Sequence, residues 1–82
     1  MYLAKVYVAL KKGVLDPQGS TIQGALTSMD FEGIQDVRVG KVFEIKLNGD
    51  SKEKIEADLE QMCRKLLANP VIEEYSFEIM EV

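Results

Sequence analysis

The stretch Asp36–Asp50, DVRVGKVFEIKLNGD, decides the fold, because it admits two incompatible strand readings. As a hairpin turning on Gly40-Lys41, with glycine in the first turn position, it sets Val37 on a face with Glu44 and Phe43 on a face with Arg38. Apolar and charged side chains are then mixed on both faces. As one continuous strand it sets Val37, Val39, Phe43, Ile45 and Leu47 on a single face, with Lys41 the one misfit. The buried face specifies register, so the continuous reading is preferred and Gly40 marks a bend or bulge. A strand of about 12 residues reaches on the order of 40 Å at roughly 3.3 Å per residue, too long for one small sheet. It is expected to serve two sheets, one on each side of Gly40.

Working outward, Tyr2–Lys11 alternates, with Tyr2, Ala4, Val6, Val8 and Leu10 forming a wholly apolar face of a half-buried strand. Asp16-Pro17 reads as a helix start: aspartate caps free N–H groups, and proline suits the first helical position. Ile22, Ala25, Leu26 and Met29 follow as one apolar stripe. The segment Asp30–Ile34, DFEGI, breaks that helix, with Gly33 at the turn. A second helix is capped by Asp50 or Ser51, Asp50 and Glu53 having capping-box spacing. It carries Ile55, Leu59, Met62 and Leu66 on one face, and Glu60 and Arg64 as a favourably ordered pair one turn apart. Asn69-Pro70 stops it, Asn favouring a left-handed cap and Pro forbidding continuation. In the last strand Val71, Tyr75, Phe77 and Ile79 share a face.

The order is β-α-β-α-β, with two β-α-β halves sharing a long bent central strand. This is an α+β, ferredoxin-like layout, helices covering one face of a mostly antiparallel sheet. Each half has too few strands to stand alone. A dimer in which two chains complete each other's sheets is the expected solution.

Bulk properties agree. The 82 residues make a single domain, 1–82. A chain this short buries only roughly 60–65% of its unfolded surface, so its core needs support. With one cysteine and no histidine, neither an intrachain disulfide nor a metal cage supplies it. The net charge of −4 argues against a nucleic-acid partner, which calls for clustered cations. No apolar run reaches the roughly 20 residues of a membrane span, and no signal peptide opens the chain. A cytoplasmic protein is expected.

Candidate chemistry is sparse. Cys63 has no histidine to activate it and reads as a packing residue. Glu73 and Glu74 point to opposite faces of a strand and cannot act as a pair. Asp50, Glu53, Glu56 and Glu60 read as a solvated helix face. GVLDPQGS, Gly13–Ser20, matches no phosphate-loop pattern. An acylphosphatase-like site would need an arginine in that loop, where only Lys11 and Lys12 stand. An RNA-binding sheet would need more exposed aromatics than Tyr7. The first helix is different in kind: it offers Gln18, Ser20, Thr21, Gln23, Thr27 and Ser28 with Gly19 and Gly24, and no charge. Such a surface suits contact with another protein.

GVLDPQG (Gly13–Gly19), VRVGK (Val37–Lys41) and KLLANPVIEEY (Lys65–Tyr75) resemble, in order and over essentially the whole chain, the PurS family of phosphoribosylformylglycinamidine synthase subunits. The resemblance implies a subunit without an active site of its own. The complex converts formylglycinamide ribonucleotide to formylglycinamidine ribonucleotide in de novo purine biosynthesis, using ATP, Mg and glutamine. The resemblance implies three partners: a second copy, a large synthetase subunit that binds ATP and amidates, and a glutaminase subunit that releases ammonia. No cofactor is implied for this chain. Carried over by position, the hallmark residues are Gly13, Asp16, Pro17, Gly19, Arg38, Gly40, Lys41, Asn69 and Pro70. Lys12 stands where a proline is frequent. Arg38 and Lys41 are the two hardest to explain as scaffold, and are expected to meet partner carboxylates or carbonyls. The alternative is a regulatory module like the amino-acid-binding ACT domains, which share the layout and would bind ligand at a dimer seam near Lys11–Ser20.

Overall fold

The computed structural model describes residues 1–82. Strands β1 (Tyr2–Leu10), β2 (Gly40–Leu47) and β3 (Glu73–Glu81) alternate with helices α1 (Pro17–Ser28) and α2 (Lys52–Met62), and α2 runs into a π-helical turn, Cys63–Leu67. The β-α-β-α-β order is as expected. β1 is central in the three-stranded sheet, with β2 and β3 antiparallel to it on either side. Register sets Ala4 between Ile45 and Ile79, Val6 between Phe43 and Phe77, and Val8 between Lys41 and Tyr75.

That register explains where α2 sits. The middle row is small (Ala4, Val6, Val8) and the flanking rows are large, which makes a trough along β1. Ile55, Leu59 and Cys63 fill it, and with Ala68 these seven residues are the buried core. Fully burying a side chain such as Leu59 contributes roughly 1.5–3 kcal/mol. Ser51, not Asp50, is the N-cap, its Oγ accepting the Lys54 amide at 3.2 Å. Arg64 donates to Glu60 Oε1 at 3.3 Å, as the one-turn spacing predicts.

Four expectations need correction. Leu66 is 83% exposed, whereas Cys63 is buried and Leu67 packs on the core. The wider π turn carries fewer degrees per residue, so it rotates Leu66 outward and Leu67 inward. Val71 lies in the turn before β3 and is exposed; Glu73 takes the first covered position of that strand. Asn69 does not adopt a left-handed cap. Instead its Oδ1 accepts the Val71 amide at 3.1 Å and its carbonyl accepts the amides of Ile72 and Glu73, a local turn.

The fourth correction concerns the central strand. It does not turn back at Gly40, so the hairpin reading fails, but its paired portion is only Gly40–Leu47. Gly40 already faces Ala9 near the end of β1, which turns away at Lys11. Asp36–Val39 therefore run past the sheet with no strand beside them. α1 leaves the sheet too, and α2 alone covers its face. The α1 stripe is largely uncovered, with Ile22 38% and Met29 66% exposed. The molecule is elongated, 51 × 28 × 15 Å, with a radius of gyration of 16.3 Å against about 12 Å for a compact chain of this length. Its accessible surface of 6081 Å² exceeds the roughly 4900 Å² of a compact chain of this mass.

Candidate functional site

The hallmark positions, dispersed in sequence, gather where β1 ends and β2 and β3 begin. Gly13 has φ +87°, a left-handed turn position that favours glycine. Pro17 opens α1, and Asp16 caps it by accepting the Gly19 amide on Oδ1 at 2.9 Å. The second oxygen of Asp16 accepts the Val39 amide at 2.8 Å, tying α1 to the segment leading into β2. Gly19 is buried there, and a Cβ on it would run into the Val37 carbonyl oxygen. Close approach of another backbone is thus why this helix carries Gly19. Gly24 faces open space. Gln23 Nε2 donates to the Gln35 carbonyl at 3.2 Å, so α1 and residues 35–39 form one arm.

Two further links fasten this arm and the neighbouring turns. Arg38 Nη2 donates to the Lys11 carbonyl at 3.2 Å, and Lys11 Nζ donates to the Pro70 carbonyl at 2.7 Å. Lys41 Nζ lies 3.7 Å from Glu73 Oε2, and Glu73 Oε1 accepts the Asn69 amide at 2.7 Å. Lys41 interrupts its apolar face because it stands at the rim of the sheet, within reach of Glu73 on the same face of β3. Gly40 is a close-approach glycine: a Cβ would stand 2.7 Å from the Val8 carbonyl oxygen. A cleft of about 210 Å³, lined by Asp16, Val39, Lys41 and Glu73 among others, separates arm from sheet.

Lys11 and Glu73 connect the hallmark residues to one another, and sequence reasoning missed both. Lys11 shows as the last residue of a strand and a cation of the following loop, and Glu73 as half of an acidic dipeptide in a motif stretch. Neither signal points to the other. A second missed cluster lies on α2, where Tyr75 donates a 2.6 Å hydrogen bond to Glu60 Oε1, the oxygen that also meets Arg64.

Chemically, this end of the molecule makes contacts. Asp16 is buried and its carboxyl is held below the ordinary value by the Gly19 and Val39 amides, with Arg38 nearby adding to the effect. Both of its oxygens are engaged. Cys63 is buried, and loss of solvation pushes its thiol up, away from the thiolate that nucleophilic chemistry needs. No three His, Cys, Asp or Glu side chains come together to hold a metal. No helix is long and apolar enough to cross a membrane.

Comparison with known proteins places these features in context. The family model PurS, described as phosphoribosylformylglycinamidine (FGAM) synthase, matches residues 3–81. The phosphoribosylformylglycinamidine synthase subunit PurS of Bacillus subtilis is 50% identical over 82 residues, covering 100% of this chain and 96% of the relative. The crystal structure of Methanocaldococcus jannaschii PurS, a subunit of formylglycinamide ribonucleotide amidotransferase, superimposes with a TM-score of 0.91 at 43% identity, covering 100% of this chain and 99% of that one. A chain in the PurLQS structure from Thermotoga maritima superimposes with a TM-score of 0.86 at 28% identity, covering 98% of this chain and 99% of that one.

Proposed function

The chain belongs to the PurS family of FGAM synthase subunits, and from that membership we propose that it dimerises and bridges the synthetase and glutaminase subunits of the complex, aiding ammonia transfer between them. In this reading it has no active site of its own. The large subunit binds ATP with Mg and amidates formylglycinamide ribonucleotide, and the glutaminase supplies the ammonia. All of this takes place in the cytoplasm.

The observation that carries the reading is the arm. α1 and residues 35–39 stand off the sheet, the α1 stripe is exposed, and Asp36–Val39 have no ladder partner. Leaving such backbone and apolar surface in water wastes stability that a chain of this size needs. A second copy supplies the natural cover. The partner's arm would lay Ile22, Leu26 and Met29 beside α2 on this sheet, and its segment 36–39 would extend the free edge of β2. Arg38 and Lys41, fixed by their links to Lys11 and Glu73, then present their remaining donors to carboxylates or carbonyls of the other subunits.

Reconstitution tests the reading. Glutamine-dependent amidation by the large and glutaminase subunits is expected to require this chain, and ammonia-dependent amidation largely not. Equal rates without it, and no complex on a sizing column, would overturn the proposal. A monomeric mass in dilute solution, with the fold intact, would overturn the dimer. If Arg38→Ala and Lys41→Ala both assemble normally, their assigned contacts are wrong. The family match favours this subunit role over the ACT-like module.

A further inference from the structure

The face of the sheet opposite α2 is uncovered. Across it the register sets Val42, Tyr7 and Ser76 in one row and Gly40, Ala9 and Glu74 in the next. These rows line the largest cavity of the molecule, an open depression of about 470 Å³. Its floor is Ala9 and Gly40, and the floor stays bare for a backbone reason, since a Cβ on Gly40 would meet the Val8 carbonyl oxygen at 2.7 Å. One wall is the Tyr7 ring, held in place by the 2.6 Å hydrogen bond its hydroxyl donates to Glu78 Oε1. The other is Val42, 60% exposed.

Around the depression carboxylates outnumber cations, Glu44, Glu74 and Glu78 standing against Lys5 and the lining Lys41. Glu74 borders the depression, and Glu44 and Glu78 flank Lys5 in the next row along. None of these three carboxylates makes an ion pair within the chain. An aromatic face, an aliphatic wall and an unpaired carboxylate around a bare floor match one side chain best. A guanidinium stacks on tyrosine and takes a carboxylate through two N–H groups, while its methylene stem lies on apolar surface. A second copy of this face has no such group to offer. The chain's only arginines are elsewhere: Arg38 is bonded to Lys11 in the arm, and Arg64 to Glu60 on α2.

We propose that this depression is a docking site for an arginine side chain presented by another subunit of the synthase. The proposal rests on the assembly role above and adds a surface to it. It is tested with full-length protein and the purified synthetase and glutaminase subunits, association being followed by sedimentation velocity. Glu74→Lys removes the acceptor and repels the cation; Ala9→Leu fills the floor. Each is expected to weaken association with one of the two subunits about tenfold or more, because the pair is desolvated on docking. Glu74→Gln is expected to make that association less sensitive to salt. Melting temperature and self-association mass are expected to stay at wild-type values, and Glu56→Lys, on the exposed face of α2, is expected to bind as wild type does. Binding unchanged in both Glu74→Lys and Ala9→Leu would overturn the proposal. So would a change in self-association mass with subunit binding intact, which would assign the depression to a second copy. Wild-type protein that binds neither subunit would instead overturn the assembly reading itself.

Discussion

Asp16 and Val39 are 23 residues apart, and the Val39 amide donates a 2.8 Å hydrogen bond to Asp16 Oδ2. The same carboxylate accepts the Gly19 amide on Oδ1. One side chain thus starts α1 and pins the segment that enters β2 just ahead of Gly40. Removing it undoes a helix cap and a tertiary anchor together.

Acid sensitivity should follow from that arrangement. The Gly19 and Val39 amides lower the Asp16 pKa from its ordinary value of 3.8. A carboxylate depressed in the folded state stabilises fully above its unfolded pKa and loses that contribution as pH falls through the folded one. Asp16→Asn is expected to melt at lower temperature at neutral pH. Its deficit should shrink as pH drops from 3.8 downward. Melting curves by circular dichroism at a series of pH values check this, and a constant deficit down to the lowest pH would contradict it.

The two glycines of α1 should respond oppositely to alanine. At Gly19 the new methyl meets the Val37 carbonyl, and overpacking of this kind costs about 1–3 kcal/mol. At Gly24 nothing lies within 4 Å, so alanine is expected to stabilise the helix by about 0.5–1 kcal/mol. Urea unfolding of the two variants measures both. A destabilising Gly24→Ala would instead show that another chain packs against that position.

The π turn makes a prediction of its own. Leu59→Ala in the core is expected to cost about 2–5 kcal/mol. Leu67→Ala should cost less but clearly measurably, and Leu66→Ala should stay within about 0.5 kcal/mol. Equal costs at Leu66 and Leu67 would mean that the α-helix runs on unbroken past Cys63.

At the alkaline end, two tyrosines should ionise late. The hydrogen bond to Glu60 raises the pKa of Tyr75, with Arg64 opposing it, and the hydrogen bond to Glu78 raises that of Tyr7, both from an ordinary value of 10.0. A group raised in the folded state contributes stability that is whole below the unfolded pKa and is lost as pH rises through the folded one. Following phenolate absorbance against pH, Tyr7→Phe and Tyr75→Phe should each remove one late-ionising group. Loss of an early-ionising group instead would contradict the assigned bond.

The sequence by itself determined the order of elements and most of their ends. Alternation over Tyr2–Leu10, the Asp16-Pro17 start, a cap at Asp50 or Ser51 and the Asn69-Pro70 stop are each written within a few residues, and local backbone physics reads them without reference to the rest of the chain. The even run of apolar positions through Gly40 likewise ruled out a hairpin. The hallmark residues were legible as motifs, and Asp16, Pro17 and Gly19 as parts of a helix start. The tertiary structure alone decided what those elements do with their surfaces. It turned Leu66 outward, ended the paired strand at Gly40, carried α1 off the sheet, and brought Arg38, Lys41, Asn69 and Pro70 together through Lys11 and Glu73. Periodicity says which side chains share a face, but burial depends on what lies opposite. No strand of this chain lies beside Asp36–Val39, and most of the α1 stripe is left exposed.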